Sequence, residues 1–169
     1  MGWFSRKKQK NIQVFAPVDG FVKKIEEVED EVFAKKLLGD GLAIIPSSNQ
    51  FVAPFDGVMK TVFPTKHAYG IRNKSGVEIL IHIGLESVKL KGEGLKSLVK
   101  QDQKVNQGDL LAEIDIEFLN KKIAEKNKDT IISLDTPLIF TQDSMKDHTL
   151  KIIKLGEVKQ NDLIAEVEL

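Results

Sequence analysis

The sequence of 169 residues contains three histidines and no cysteine. Histidine is the only side chain whose unperturbed pKa places its change of charge between pH 5 and pH 8. The absence of cysteine excludes disulfides, thiolate nucleophiles, thiolate zinc sites and iron–sulfur clusters. His67, His82 and His148 are therefore the first residues to consider for chemistry.

His82 lies in the apolar run ILIHI at positions 79–83, which predicts a buried strand. An imidazole in such a strand costs free energy unless its polar atoms are hydrogen-bonded. One interpretation is a core histidine satisfied by a backbone carbonyl group. The other is a neutral nucleophile that accepts a phosphoryl group on one ring nitrogen while a hydrogen bond holds the other nitrogen.

The segment from His67 to His82 predicts a β-hairpin with its turn at residues 73–76. His67 lies six residues before Asn73, and His82 lies six residues after Gly76. Residues at matched distances from a turn can be cross-strand neighbours, with Cβ atoms about 4.5–5.5 Å apart. The count therefore predicts two adjacent imidazoles, of which the second could donate a hydrogen bond to a phosphoryl group on the first.

The same histidine pair could instead form half of a zinc site, in a zinc-binding hydrolase of a related β architecture. Asp30 and Glu86 are the available carboxylates, but neither has an obvious ligand spacing to the pair. The sequence also has no phosphate-binding GKS/T loop, HExxH helix or GxSxG turn. A third possibility is a non-catalytic regulatory domain that binds partners through this surface.

Two sequence repeats indicate how the surrounding fold is built. FAPVDGFVKKI at 15–25 returns as VAPFDGVMKTV at 52–62, and VNQGDLLAEID at 105–115 returns as VKQNDLIAEVE at 158–168. The spacings between copies differ, so the repeats do not indicate a solenoid. Each copy combines a turn signal with an alternating strand, which predicts a small unit used more than once within one domain.

Many short strand candidates with turn residues between them predict an all-β fold, an antiparallel β-sandwich or flattened barrel with a few short helices. Apart from the first arm of the hairpin, the predicted strands are 12–16, 20–25, 41–46, 50–53, 57–63, 77–83, 86–91, 110–115, 130–134, 137–140, 150–154 and 163–168. A helix is predicted at 117–127, because its apolar residues share one face. Shorter helical turns are expected near 31–38 and 93–99.

Composition narrows the classes of function. Lys and Arg balance Asp and Glu at 25 each, which argues against a nucleic-acid binder. No apolar segment approaches the roughly 18 residues of a membrane span. We expect a flexible basic tail at 1–11, with at most weak contact to a membrane surface, and a single domain at 12–169. The protein is expected to be a cytoplasmic monomer.

Several motifs resemble one family in order along nearly the whole chain. These are VFAKKLLGDGLAI, VAPFDG, TKHAYGI, GVEILIHIGLESVKLKGEG and the V-x-x-GD-x-L pattern. They resemble the glucose-type enzyme IIA of the bacterial phosphoenolpyruvate-dependent sugar phosphotransferase system. The repeats likewise resemble the duplicated hybrid motif of that fold.

The resemblance implies a phosphotransferase that carries phosphate transiently on His82 and needs no cofactor or metal. His82 would accept phosphate from the histidine-containing phosphocarrier protein and pass it to a cysteine on the IIB domain of a sugar permease. His67 would stabilise the phosphoryl group, Thr65 would fix the His67 tautomer, and the Gly84 carbonyl would orient His82. Residues of an apolar rim would bind both partners, and the resemblance places in it Asp30, Val32, Phe33, Phe63, Glu86 and Val88.

The chain departs from this family at Lys35. An acidic residue at that position can complete a zinc site with a regulated partner in some relatives. A lysine cannot do so, so the resemblance does not carry that regulation to this chain.

Overall fold

The computed structural model describes residues 11–169, in which short strands are the main elements. The tail predicted for 1–11 therefore lies, apart from Asn11, outside the described residues. The strands are β1 (Ile12–Phe15), β2 (Gly20–Lys24), β3 (Gly39–Pro46), β4 (Gln50–Val52), β5 (Gly57–Val62), β6 (Ala68–Arg72), β7 (Glu78–His82), β8 (Leu95–Ser97), β9 (Lys104–Val105), β10 (Leu110–Ile114), β11 (Thr136–Thr141), β12 (Thr149–Ile152), β13 (Gly156–Val158) and β14 (Leu163–Glu168).

The strands form one sheet of eight and two sheets of three. The large sheet has the order β13-β2-β3-β11-β7-β6-β5-β9, and the small sheets have the orders β1-β14-β12 and β4-β10-β8. Every pairing between these strands is antiparallel. The predicted antiparallel β-sandwich is therefore confirmed, and the large sheet is open rather than closed into a barrel.

Helices are few and short. The helix α1 (Glu31–Ala34) begins after Asp30, whose carboxylate accepts a hydrogen bond from the Val32 N–H at 2.9 Å. The helix α2 (Ile116–Ala124) lies within three residues of the predicted bounds. Three-residue 3₁₀ turns lie at Ile25–Glu27 and Asp143–Met145. Across residues 11–169, no helix is long and apolar enough to cross a membrane.

Strand alternation places the histidine strand between two layers of apolar side chains. On β7, Ile79 and Ile81 lie in the main core between the sheets, whereas Leu80 and His82 alternate with them onto the opposite face. A second buried cluster covers part of that outer face, and it contains Ile25, Val28, Phe33, Ala43, Leu85 and Ile139. His82 therefore ends a strand that is rigidly packed on both sides.

The sequence repeats correspond to matching contacts. The Asp19 carboxylate accepts a hydrogen bond from the Gln160 N–H at 2.7 Å. The Asp56 carboxylate accepts the same bond from the Gln107 N–H, also at 2.7 Å. Each Asp-Gly turn is thus tied to the turn of one copy of the second repeat, as expected for a duplicated unit.

The strand predicted at 86–91 is wrong, because this segment forms the 3₁₀ helix Ser87–Leu90. Glu86 and Lys91 have positive φ angles of 59° and 52°. These left-handed residues reverse the chain on both sides of the turn. The alternation of apolar and charged residues in this segment fits a tight helical turn as well as a strand.

Two further local predictions are wrong. The segment 93–99 contains β8 instead of a helical turn, because Leu95 pairs with Ile114 of β10. The segment 130–134 forms only an isolated bridge between Ser133 and Leu85. In the first segment pairing with a distant strand outweighs the local preference of the chain, whereas in the second no neighbouring strand among residues 11–169 is available to extend the bridge.

Candidate functional site

His82 is held at the end of β7 by a hydrogen bond to the backbone. Its Nδ1 lies 2.8 Å from the carbonyl oxygen of Gly84. A carbonyl oxygen can only accept, so Nδ1 of the neutral ring carries the proton and donates it. Nε2 is then left with a free lone pair, which is the state that a nucleophilic histidine requires.

The Gly84 carbonyl is aimed by a backbone conformation that favours glycine. Gly84 has φ of +77°, and a Cβ atom there would lie 2.7 Å from Cδ1 of Ile131. Two buried hydroxyl groups contact the backbone of Gly84: Ser87 Oγ donates to the Gly84 oxygen at 3.4 Å, and Thr136 Oγ1 accepts from the Gly84 N–H at 3.4 Å. Sequence analysis did not predict that Ser87 and Thr136 support the site. The only sequence signal for them is a hydroxyl residue within an otherwise apolar pattern.

His67 lies in the loop that precedes β6 rather than in the strand itself. Its Nδ1 and the Thr65 Oγ1 share a hydrogen bond of 2.7 Å, as the resemblance implied. The chain turns between these residues through Lys66, which has a positive φ of 60°. The His67 carbonyl accepts a hydrogen bond from the Ile83 N–H at 2.7 Å, which ties the loop to the end of β7.

The two imidazoles are adjacent, but not through the predicted cross-strand register. Ala68, not His67, pairs with His82, because the hairpin turn closes between Asn73 and Val77 and is one residue longer than predicted. The rings nevertheless have centroids 5.0 Å apart and planes inclined by 78°. The loop conformation, rather than strand pairing, thus brings the His67 ring to His82.

Each imidazole also packs against a phenyl ring. The Phe33 and His82 centroids are 5.1 Å apart, and the Phe63 and His67 centroids are 5.3 Å apart. Phe33 is only 7% exposed and belongs to the second buried cluster, so it supports His82 from beneath. Phe63 is exposed and covers the loop side of the pair.

Both histidines favour the neutral form. Burial and, to a smaller extent, the neighbouring His82 lower the pKa of His67 to about 4. Burial also lowers the pKa of His82 from 6.5, although the Gly84 carbonyl and the charges of Asp30 and Glu86 oppose this effect. At neutral pH the site therefore holds two uncharged imidazoles.

Of the apolar rim residues that the resemblance implied, Val32, Phe63 and Val88 are exposed, whereas Phe33 is buried beneath His82 and is not a surface residue. Val32 and Val88 are 44% and 47% exposed, on α1 and on the turn that follows β7. The acidic residues Asp30 and Glu86 lie close enough to raise the pKa of His82. Glu86 also forms an exposed ion pair with Lys89 at 3.3 Å. Exposed apolar groups together with acidic residues form a surface of the kind that a protein partner can cover.

No group of three or more His, Asp or Glu residues is placed to hold a metal ion within residues 11–169. The zinc-hydrolase alternative therefore finds no third ligand beside His67 and His82 among the described residues. His148 is distant in sequence from both histidines and precedes β12, which lies in a different sheet.

Comparison with known proteins gives a consistent result. Residues 12–145 match the family model of the phosphoenolpyruvate-dependent sugar phosphotransferase system, EIIA 1. The glucose-specific EIIA component of Mycoplasma capricolum is 51% identical over 163 residues, which are 96% of this chain and 97% of that protein. The glucose-specific EIICBA component of Staphylococcus carnosus is 43% identical over 155 residues, 92% of this chain but only 22% of that longer protein.

A solved structure agrees with these sequence matches. The glucose permease IIA of Mycoplasma capricolum superimposes with a TM-score of 0.82 and 51% sequence identity. The superposition covers 98% of this chain and 99% of the other.

Proposed function

The chain belongs to the EIIA family of the phosphoenolpyruvate-dependent sugar phosphotransferase system, and we propose that it is a phosphohistidine carrier of the glucose-specific branch. In this proposal His82 accepts a phosphoryl group from the histidine-containing phosphocarrier protein. It then passes the group to a cysteine of the IIB domain of a glucose-type permease. The exchange takes place in the cytoplasm.

One observation carries the proposal, namely the hydrogen bond from His82 Nδ1 to the Gly84 carbonyl at 2.8 Å. It fixes the proton on Nδ1 and presents the lone pair of Nε2 beside a partly exposed apolar surface. The lowered pKa keeps the ring uncharged, so the lone pair is available at neutral pH. Position and protonation state therefore both suit a nucleophile.

The two transfer steps balance in bonds and protons. In the first step the P–N bond of the donor phosphohistidine breaks while a P–N bond to His82 Nε2 forms. In the second step that bond breaks while a P–S bond to the cysteine thiolate of the acceptor forms. His82 Nδ1 keeps its proton throughout, donated to Gly84, so the ring returns to its starting state without an added acid or base.

His67 serves as the stabilising donor in this proposal. If the Thr65 hydroxyl donates to His67 Nδ1, the proton of the neutral His67 ring lies on Nε2, where it can be donated to a phosphoryl oxygen. Such a donor is most effective in a site shielded from water. The 5.0 Å separation of the ring centroids leaves His67 close to any group on His82.

The partners are proposed on chemical grounds and on the names of the relatives. The name EIICBA of the Staphylococcus relative joins an A component to a B component in one protein, which supports a IIB domain as the acceptor. The rim offers one surface around one histidine, so donor and acceptor would use it in turn. A monomer suffices for this exchange, because both histidines come from one chain.

Intact mass spectrometry provides the test. The protein is incubated with phosphoenolpyruvate, enzyme I and the histidine-containing phosphocarrier protein, and its mass is measured before and after brief acid treatment. We expect the mass to increase by one phosphate, and this phosphate to be lost in acid. In a separate sample without acid, the phosphate should also be lost when an isolated glucose-type IIB domain is added. A protein that gains no phosphate, or keeps it in acid, contradicts the proposed function.

A further inference from the structure

The only tyrosine of the chain lies on β6, two residues after His67. Its ring is buried in the main core, and its backbone pairs with Val62 on one side and with Ile81 on the other. Despite this apolar setting, the phenol hydroxyl is not isolated. It donates a hydrogen bond of 3.0 Å to the carbonyl oxygen of Lys66.

The accepting carbonyl belongs to the residue that reverses the chain between Thr65 and His67. Lys66 has φ of +60°, a conformation that a non-glycine residue adopts only where its surroundings hold it. Its N–H donates to the Phe63 carbonyl at 2.8 Å, which closes one side of the loop. The Tyr69 hydroxyl binds the other side, so this strained residue is held at both of its backbone polar groups.

The Lys66 carbonyl is also part of the peptide unit that contains the His67 nitrogen. This unit is planar, so fixing the orientation of its oxygen fixes the direction in which the His67 backbone leaves the loop. The hydrogen bond between Thr65 and the His67 ring spans the same peptide unit. A rotation at Lys66 would move the two ends of that 2.7 Å bond apart.

The phenol is suited to remain a donor. Burial raises the pKa of Tyr69, while the nearby Ser97 hydroxyl on β8 opposes this shift. The hydroxyl therefore stays protonated at neutral pH. A phenylalanine would occupy the same space in the core but would leave the Lys66 carbonyl without this partner.

We infer that Tyr69 is a positioning residue for phosphoryl transfer, holding the Lys66–His67 peptide so that the His67 ring keeps its tautomer and its orientation toward His82. This role rests on the function proposed above. Tyr69 contacts neither imidazole through its hydroxyl and acts only through the loop. It would be the counterpart of the hydroxyl groups that surround the Gly84 peptide on the His82 side.

The test compares Tyr69→Phe with the wild-type protein in two independent measurements. The ring nitrogen shifts of His67 are recorded by NMR on the unphosphorylated proteins, and the rate of transfer from phosphorylated protein to an isolated IIB domain is recorded by rapid quench. In the wild type we expect the ring nitrogen chemical shifts of His67 to be those of a single tautomer. In Tyr69→Phe they should move toward values typical of a mixture of both tautomers. We expect onward transfer to slow by about 10-fold, the lower end of the range for loss of a supporting hydrogen bond, with the extent of phosphorylation unchanged.

Phe140→Leu is the matched control, because Phe140 is buried in the same core but lies on β11. It should lower stability while leaving the His67 shifts and the transfer rate as in the wild type. Unchanged His67 shifts in Tyr69→Phe overturn the inference, and so does an unchanged transfer rate in a variant whose shifts have moved. The NMR comparison needs no phosphoryl donor, so it distinguishes failure of this inference from failure of the proposed function.

Discussion

The two histidines of the site are held by different kinds of structure. His82 ends a strand with packed layers on both faces, and a backbone carbonyl accepts its Nδ1 proton. His67 lies in a loop, and a side-chain hydroxyl shares its hydrogen bond. A carbonyl permits only one tautomer, whereas a hydroxyl can donate or accept and permits both.

This difference suits the two proposed roles. The phosphoryl acceptor must offer the same lone pair to every donor, so a single permitted tautomer on a rigid strand is an advantage. The stabilising residue must present a donor N–H to the phosphoryl oxygens, and a hydroxyl partner on Nδ1 allows the His67 proton to lie on Nε2 for that purpose. The following predictions test whether the two histidines really divide the work in this way.

The largest effect is expected at His82. His82→Gln should abolish phosphate uptake, because it removes the ring nitrogen that would form the P–N bond, while the packed layers around β7 keep the fold intact. Intact mass after incubation with phosphoenolpyruvate, enzyme I and the histidine-containing phosphocarrier protein measures phosphate uptake, and circular dichroism checks the fold. Acid-labile phosphate on a folded His82→Gln protein would show that the acceptor lies elsewhere.

His67→Gln should separate acceptance from delivery. Glutamine keeps an N–H group at similar reach but loses the rigid placement of the ring. We expect phosphate still to be accepted at His82, with onward transfer to a IIB domain slower by about 10²–10³-fold, the effect of removing one preorganised donor. Rapid-quench measurement of transfer from the phosphorylated variant gives the rate. An onward transfer rate equal to that of the wild type would mean that His67 does not stabilise the phosphoryl group. The two histidines would then not have the separate roles proposed above.

The pKa of His67 makes stability depend on pH. Its folded pKa of about 4 lies below the ordinary histidine value of 6.5, so the unfolded chain binds up to one more proton between these two pH values. The contribution of His67 to the free energy of unfolding is therefore fully present above pH 6.5 and is lost as the pH falls toward 4. At 1.36 kcal/mol per pKa unit, the loss is about 3 kcal/mol. The free energy of unfolding is measured with urea at several pH values for the wild type and for His67→Gln. Between pH 6.5 and pH 4 it should fall less steeply with pH in the variant.

NMR titration of the imidazole protons provides an independent measurement of the same property. The His67 resonance should stay at its neutral position until the pH approaches 4. The His82 resonance should also titrate below its ordinary pKa of 6.5, since burial lowers it. A His67 resonance that titrates near pH 6.5 contradicts both the burial argument and the slope predicted above.

Sequence patterns predicted much of this arrangement, and the exceptions have physical causes. Alternation and turn residues predicted β14 at its observed bounds, 163–168, and the hairpin that carries both histidines. The register within that hairpin was wrong by one residue, because counting from a turn assumes the length of the turn. The resemblance assigned Phe33 to the partner-binding rim, but Phe33 is 7% exposed and shares a buried cluster with Leu85 and Ile139, two residues distant from it in the sequence.

The Tyr69 hydroxyl bond was beyond sequence analysis for a similar reason. Its partner is a backbone carbonyl whose orientation depends on the positive φ of Lys66. A lysine gives no sequence signal for that conformation, unlike the glycine at position 84. Side-chain roles that depend on irregular backbone therefore require the structure.

Thr65→Ala should produce a smaller defect of the same kind as His67→Gln. It removes the group that shares a hydrogen bond with His67 Nδ1 but leaves the ring in place between His82 and Phe63. We expect onward transfer to slow by about 10-fold, within the range for a supporting hydrogen bond. Thr65→Ser keeps the hydroxyl and should restore most of the rate. Equal rates for the alanine and serine variants would show that the hydroxyl has no role.

The smallest effect is expected at the exposed rim, which serves both steps of the exchange. Val32→Ser and Val88→Ser should each weaken binding to the phosphocarrier protein and to the IIB domain by about 5-fold, as expected when about 1 kcal/mol of apolar contact is lost. Leu155→Ser is the matched control, because Leu155 is 45% exposed but precedes β13, four strands from β7 in the sheet.

Amide shift mapping with each partner should give overlapping footprints that include both valines. Two separate footprints would mean that donor and acceptor reach His82 from different sides, and the rim would then not be a shared surface. Overlap is expected because Phe33 and His67 both pack against the His82 ring, which restricts the directions from which a partner can reach Nε2.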